Sequence, residues 1–427
     1  MKYIWFVLYN FIVYPLIFVV GCFFGLFNKK LRVGIIGRFK SIDILKQYFI
    51  NLDNNIDIYW FHAASLGEFY QVKPVMEGLK EIEPDCLCLL SFSSPSGFEH
   101  AKSDAIYCRI YMPFDFFWSI YKAFDIIKPR KVIFASYDIW PNMIWIAKLF
   151  KIHTNIFSAR VKDGSIKLLP GFNSFYRSIY QQMSTIYTVA KKDYIRINFI
   201  IGNRNQPILR ILGNPRYDMV KKTSDNFTKT HQNTVMDREK RIIIGSTHPE
   251  DDEVIIPGLI KQLRNDNDFS VFYVPHEPNQ IHIDKIISKF DTNGFSSTIS
   301  NTKIISNIPN KRIVIINTVG ILNQLYWLGR IAYIGGGFSS GIHNVMEPAI
   351  ARLPVIFGPK YHQAHEAEEL LKYGGGICIK KENEFENSLQ SLFNDNKYFK
   401  KVSLAATNVI HKNLGSSTRI IRSLIRD

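Results

Sequence analysis

From Tyr3 to Asn28 the chain carries no charged side chain. As a helix rising about 1.5 Å per residue it would reach roughly 39 Å, more than the ~30 Å hydrocarbon core of a bilayer. The stretch is longer than a signal-peptide apolar region and has no small-residue cleavage site. Lys29, Lys30, Arg32, Arg38 and Lys40 follow it and only Lys2 precedes it. The positive-inside rule therefore makes residues 1–28 a membrane anchor helix, with everything after residue 29 in the cytoplasm. The segment is also crowded with aromatics (Trp5, Phe6, Tyr9, Tyr14, Phe24) and interrupted by Pro15, Gly21 and Gly25. A helix lying in the interface is thus the alternative to one that spans. In either case the following body sits against anionic lipid.

Of the net charge of +16, +11 falls in residues 1–220. A basic half suits a polyanionic partner, and ordinary solvated faces are the competing explanation. No run interleaves basic and aromatic residues as a single-strand surface does, so no nucleic acid is expected. The five cysteines, Cys22, Cys86, Cys88, Cys108 and Cys378, are odd in number and form no C-x-x-C pair. They exclude a disulfide framework and a zinc knuckle and fit a reducing compartment. With 427 residues, 46% of them hydrophobic, there is material for two cores.

After the anchor, short apolar runs alternate with amphipathic stretches. Ile56–Phe61, Cys86–Phe92, Lys131–Ala135 and Asn155–Ser158 read as strands; Glu68–Lys80, Phe116–Ile127 and Asn142–Leu149 read as helices. Residues 221–240 have the polar composition of a linker. The alternation then restarts, with strands at Arg241–Gly245, Ser270–Val274, Ile313–Ile316 and Ile331–Ile334 and another within Ile350–Phe357. The expected class is α/β: two parallel-sheet domains, 29–220 and 241–405, with a ligand cleft at the carboxyl ends of their strands.

Three constellations lie at such strand ends. In Phe61-His62-Ala63-Ala64-Ser65-Leu66-Gly67-Glu68 a carboxylate stands at a helix start. It either takes a proton from a hydroxyl or only complements the helix dipole, which would lower its pKa. In Gly335-Gly336-Gly337-Phe338-Ser339-Ser340-Gly341-Ile342-His343-Asn344-Val345-Met346-Glu347-Pro348 a glycine loop leads into a helix expected to start near Asn344. Its amides would cradle a phosphate and Glu347 would meet ribose hydroxyls, or the glycines serve only a tight turn. Gly245-Ser246-Thr247-His248 ends a strand and either contacts phosphate or caps a helix. For metals, His362 and His365 near Glu366 read as a solvated helix face, and no metal site is expected.

Six collinear blocks carry a resemblance. They are His62-Ala63-Ala64-Ser65-Leu66-Gly67-Glu68, Asp138-Ile139-Trp140-Pro141-Asn142, Ser158-Ala159-Arg160, Gly213-Asn214, Gly245-Ser246-Thr247-His248 and Gly341-Ile342-His343-Asn344-Val345-Met346-Glu347-Pro348. In this order they resemble the Kdo (3-deoxy-D-manno-octulosonic acid) transferase family, glycosyltransferase family 30, along nearly the whole chain. The resemblance implies a GT-B fold, two Rossmann-like domains facing across a cleft, and a C-terminal helix in 406–427 packing back on the first domain. It implies inverting transfer of Kdo from CMP-Kdo to lipid IVA, the tetra-acylated bisphosphate precursor of lipid A, in lipopolysaccharide core synthesis. The place would be the cytoplasmic face of the inner membrane, against its anionic lipids, with no metal and no cofactor beyond the donor substrate.

Carried over residue by residue, Glu68 would be the general base. Ser65, Gly67, Asp138, Arg160 and Lys162 would border the acceptor. Ser246, His248 and His276 would face the donor, Gly336, Gly337, Gly341, Ile342, His343 and Asn344 would hold the CMP phosphate, and Glu347 the ribose. Three positions depart from the pattern. Asp138 stands where the family usually shows Glu, and Arg216 where Lys is usual. Val274-Pro275-His276-Glu277-Pro278 lacks the arginine often found before the histidine, so His276 or another base must substitute. The rival implied by the same scaffold is a GT-B transferase using a UDP-sugar and a lipid acceptor. A GT-B epimerase would have no use for the anchor, and a non-catalytic lipid binder would leave Glu68 without a task.

Overall fold

The computed structural model describes every residue except 1, 54, 205, 230–233 and 363. The chain divides into two compact units, Met1–Met219 with Gly415–Asp427, and Val220–Leu414. Each is built on a seven-stranded parallel sheet, in line with the two parallel-sheet domains expected from the sequence.

In the first unit the strands are β1 (Ile58–Ala63), β2 (Leu87–Phe92), β3 (Ile106–Tyr111), β4 (Lys131–Ala135), β5 (His153–Ala159), β6 (Thr185–Thr188) and β7 (Ile208–Ile211). Their order is β3-β2-β1-β4-β5-β6-β7. Winding therefore reverses between β1 and β4, which leaves a crevice at their carboxyl ends, where ligands of open α/β sheets bind. The continuous apolar runs are explained by burial on both faces: every residue of β1 and β4 is buried. Beneath one face Val72, Val75, Met76 and Leu79 of helix Leu66–Ile82 meet Ile420, Ile421 and Leu424 of helix Ser416–Arg426. Each such side chain contributes roughly 1.5–3 kcal/mol on burial. Asp218 fixes the start of that last helix by accepting from the amides of Gly415 (2.6 Å) and Ser417 (2.7 Å).

The second unit has β8 (Arg241–Thr247), β9 (Ser270–Pro275), β10 (Thr298–Ser300), β11 (Ile313–Ile316), β12 (Ile331–Ile334), β13 (Val355–Phe357) and β14 (Gly376–Cys378). Their order is β10-β11-β9-β8-β12-β13-β14, with the reversal between β8 and β12.

Several expectations shift. The polar stretch 221–240 is not linker throughout: a helix runs Arg216–Thr228, because Asp218, Tyr217 and Val220 give it a buried side. Residues 230–233 of that stretch lie outside the described residues. The returning segment starts at Gly415 rather than 406. Helix Asn396–Lys412 belongs to the second unit, with Ala406 packed so closely on Gly375 that a Cβ there would sit 2.4 Å from the Ala406 backbone. Strand β1 ends two residues later than expected, which places His62 in the strand, fully buried.

The N-terminal stretch Tyr3–Phe27 is helical, with mean hydropathy 2.2, long and apolar enough to cross a membrane. It is not one uniform helix. A π-turn at Tyr9–Val13 joins Lys2–Leu8 to Tyr14–Phe27, just ahead of Pro15, whose missing N–H cannot continue the α ladder. The turn aims a polar edge into the first unit. Asn10 and Asn142 exchange side-chain hydrogen bonds (3.0 and 2.8 Å), and Tyr9 donates to Asp115 (2.8 Å). Asp115, fully buried, also accepts from the amides of Asn142 and Met143 at the start of helix Pro141–Leu149. The opposite edge, with Phe11, Leu16, Val19, Phe23 and Phe27, is exposed.

Candidate active site

In the first unit the β1–β4 crevice holds the acidic pair named from sequence. Ser65 caps helix Leu66–Ile82, and Glu68 at its third position accepts from the Ser65 amide (2.9 Å) in a capping box. The two readings of Glu68 are therefore realised together. The cap fixes the carboxylate's rotamer, and its hydrogen bonds pull the pKa down. Burial, reinforced by Asp138 nearby, outweighs them and raises Glu68 to about 7. A carboxylate poised there can act as a base at neutral pH.

Asp138 follows β4 and is spoken for. It lies 3.0 Å from His62 Nε2 and accepts from Ser93 Oγ (3.0 Å). Against the upward push of burial, His62 and Ser93 hold its carboxyl below the usual range. His62 is braced from behind by Ser91 Oγ at 2.9 Å. Asp138 thus supplies fixed negative charge beside Glu68. Removing it by Asp138→Asn is expected to move the acid limb of log kcat/KM, near pH 7 in the parent, downward by up to about one pH unit. A limb that stays in place would show that Glu68 does not set it.

Gly67 lies in the first turn of the Glu68 helix. Arg160 leaves the end of β5, within electrostatic reach of Tyr137, which in turn neighbours Glu68; Lys162 is exposed two residues on. Two serines at these strand ends, Ser136 and Ser158, have φ of 63° and 52°. Non-glycine residues seldom hold this conformation, and it recurs at functional strand ends. Beside the pair opens a cavity of about 550 Å³, lined by Asp138 and Trp140 together with Trp5, Tyr9, Phe172 and Phe175. It is apolar except at the Asp138 end. Sequence reading does not single out Lys167, whose ammonium lies 4.9 Å from the Tyr176 ring, or the role of Arg38, 5.1 Å over Trp140. Both are within electrostatic reach of Asp138. No sequence spacing links them to it.

In the second unit three adjacent strands, β9, β8 and β12, converge His276, His248 and His343. His248 Nε2 and His343 Nε2 are 3.1 Å apart, and the His276 and His343 rings stack at 4.0 Å. One ring nitrogen from each lies within 4.8 Å of the others. Of the two histidines that the sequence offers as metal ligands, His365 instead neighbours Glu368 and Glu369 on its own helix. Burial, with His276 and His248 alongside, pushes His343 down to about 4, and burial with His248 lowers His276. Ser246, with φ of 57°, sits at a register shift in β8 that turns the chain toward His248.

The glycine loop differs from the simple cradle expected of it. Gly336 has φ of 87°, and a Cβ there would lie 2.3 Å from Gly341 O. Its amide donates to Asp251 Oδ2 (2.7 Å), that of Gly341 to Gly336 O (2.8 Å), that of Ile342 to Lys360 O (3.2 Å) and that of His343 to Gly335 O (3.2 Å). These four amides shape the loop rather than face a ligand. Gly337 packs on Gly358, where a Cβ would meet backbone at 2.5 Å. The helix begins at Met346, not Asn344, and runs only to Ile350; Asn344 Oδ1, two residues ahead, accepts from the Met346 amide (3.1 Å). Glu347 is in its first turn, half-buried.

Asp251 is a residue that sequence reading misses. Fully buried, it accepts from the His248 amide (2.9 Å), the Gly336 amide and Tyr333 Oη (2.8 Å), so it braces two of the loops at once. The signal is present: an acidic residue three positions after a helix cap, in His248-Pro249-Glu250-Asp251.

Residues 35–219 match the family model described as 3-deoxy-D-manno-octulosonic-acid transferase (kdotransferase). The 3-deoxy-D-manno-octulosonic acid transferase of Aquifex aeolicus is 26% identical over 367 residues, covering 84% of this chain and 93% of that protein. The enzyme of the same description from Haemophilus influenzae is 24% identical and covers 85% of each. Among solved structures, a UDP-GlcNAc 2-epimerase from Neisseria meningitidis superposes with a TM-score of 0.61 at 12% identity, over 87% of this chain and all of that one. That likeness concerns the fold alone.

Proposed function

We propose that this chain, a relative of the 3-deoxy-D-manno-octulosonic acid (Kdo) transferases that shares their transfer of Kdo in lipopolysaccharide biosynthesis, takes Kdo from CMP-Kdo and adds it to lipid IVA. The observation that carries the chemistry is Glu68, a buried carboxylate raised to about 7 at the sheet's topological switch. Glu68 removes the proton of an acceptor sugar hydroxyl. That oxygen bonds to the anomeric carbon of Kdo from the face opposite CMP, and the carbon–phosphate oxygen bond breaks, releasing CMP with inversion. No cofactor takes part in the bond exchange.

The acceptor assignment is supported by the apolar cavity ending at Asp138, which suits an acyl chain beside a polar head. Arg38, Lys167 and Arg160 at that end suit phosphates. The exposed apolar edge of Tyr3–Phe27 and the basic residues after it suit anionic inner-membrane lipid on the cytoplasmic side. The test is transfer by membranes from an expressing strain, with CMP-Kdo generated in situ, lipid IVA as acceptor and mass spectrometry as readout. Product heavier by one or two Kdo is expected. No product with intact donor and folded protein would overturn the donor and acceptor assignment, and product with a UDP-sugar would replace it.

A further inference from the structure

We propose that residues 3–49 hold an anionic bilayer surface from one side only, lying in the plane of a single leaflet without crossing it. This arrangement rests on the reading of the segment as lipid-bound and not on the identity of donor or acceptor.

The N-terminal segment is one arm of a helical hairpin. Helix Tyr14–Phe27 ends at Asn28, which is extended (φ −113°, ψ 111°) and whose Oδ1 accepts from the Leu31 amide (3.1 Å) to start helix Lys29–Phe49. A single residue therefore turns the chain back on itself. A Cβ on Gly25 would sit 2.8 Å from Ile35 Cδ1 and 3.8 Å from Arg32 Cα, and the Phe18 and Phe39 ring centres lie 6.4 Å apart. The two helices thus run antiparallel, in contact from the turn back toward the body.

Both arms are rooted in the first unit. On the first, Tyr14 Oη accepts from the Asp115 amide (2.6 Å) and Phe18 packs on Phe114 at 5.0 Å. On the second, Ser41, fully buried, donates to Tyr111 O (2.7 Å) and Phe39 packs on Phe114 at 4.8 Å. Upstream of the hairpin, Trp5 Nε1 donates to Ser174 Oγ (3.1 Å) and Phe6 meets Trp145 at 5.4 Å. Residues 5, 18 and 39 are therefore all held by the same unit. A helix crossing from Tyr3 to Phe27 would put Trp5 and Ser174 on opposite sides of the bilayer.

On the first arm only the stretch from Phe18 to Asn28 is free to leave the body. At 1.5 Å per residue that is about 15 Å, half of a ~30 Å hydrocarbon core. The turn carries Lys29, Lys30 and Arg32, all exposed. Pointed straight in, the hairpin would stop with three cations at the bilayer centre, the costliest depth for a charge. Lying flat removes the conflict. Leu16, Val19, Val20, Phe23 and Phe27, exposed along one stripe at helical spacing, enter the acyl region, while the cations stay among the headgroups. Anionic headgroups complement those cations.

The experiment places an epitope tag ahead of Met1 of the full chain and adds protease to spheroplasts and to inside-out vesicles of the expressing strain. The tag should survive in spheroplasts and be lost from the vesicles. Loss in spheroplasts overturns the arrangement, because it puts residue 3 across the bilayer from the body. Fractionation is read first: recovery of the parent in the soluble fraction overturns lipid contact itself, and the arrangement with it. The headgroup contact is tested by flotation of purified protein on phosphatidylcholine vesicles with and without phosphatidylglycerol. Combining Lys29→Gln, Lys30→Gln and Arg32→Gln should weaken binding to the anionic vesicles more than about 10-fold at low salt, with circular dichroism unchanged. Equal binding by parent and variant overturns that contact. Kdo transfer enters neither measurement, so a failure here and a failure of the transfer assay are read separately.

Discussion

Replacing Glu68 by Gln is expected to leave CMP binding intact and to slow Kdo transfer by roughly 10²–10⁴-fold, the contribution of a placed general base. The same variant should be more stable than the parent at pH 8. Glu68 is raised to about 7 in the folded protein, against roughly 4.3 in an unfolded chain. Its neutral form is therefore favoured by folding. That contribution is fully present below about pH 4 and is lost as pH rises toward 7. Above pH 7 the parent buries an ionised carboxylate, while Gln stays neutral and still serves the third position of the capping box. At about 1.4 kcal/mol for each tenfold difference in proton affinity between the folded and unfolded chain, the gain at pH 8 is on the order of 3–4 kcal/mol and vanishes near pH 4. Denaturant unfolding at the two pH values, run beside the transfer assay, checks both halves. Near-parent turnover would remove Glu68 from the base role, and equal stabilities at pH 8 would show that burial does not raise its pKa.

Asp251→Ala should be the most damaging change in the second unit. One carboxylate with no solvent exposure satisfies two backbone amides and the Tyr333 hydroxyl. Truncation strands all three, at about 3–5 kcal/mol in total. Because two of those amides belong to His248 and Gly336, CMP affinity by calorimetry should fall more than about 10-fold even where the protein remains folded. Asp251→Asn keeps one acceptor oxygen and should be intermediate in both measurements. If stability drops but CMP affinity holds, the carboxylate is a brace for the fold and not for the donor side.

The alternation of strand and helix was legible because both sheets are buried on both faces, which makes their strands apolar runs. What escaped were β3 and the shorter strands β6, β7, β10 and β14. All but β6 are edge strands with exposed or half-buried positions, such as Ile208 and Ile211, so they lack the continuous run. Glu68 could be named from its place at a strand–helix junction. Its pKa could not, since burial and Asp138 act through space across seventy residues of chain. The glycine loop was recognisable as a turn, yet which amides it spends internally depends on partners such as Lys360 and Asp251 that no local pattern reveals. His248, His276 and His343 are each named for the donor side by the resemblance, but that their rings meet follows from strand order and not from spacing.

The π-turn at Tyr9–Val13 makes the N-terminal segment a keel rather than a leash. Tyr9, Asn10 and Tyr14 are part of the first unit's own interior, and Trp5 and Tyr9 form a wall of the cavity that opens at Asp138. Cutting the chain at residue 28 to obtain a soluble enzyme would leave Asp115 and Asn142 without Tyr9 and Asn10, and would remove that wall. Solubility is better sought by polar replacement at Phe11, Leu16, Val19 and Phe23, on the edge that the body does not touch. Such a protein would keep its interior without that apolar edge, and comparing its transfer with the parent's would separate what the edge contributes to catalysis from the effect of an intact fold.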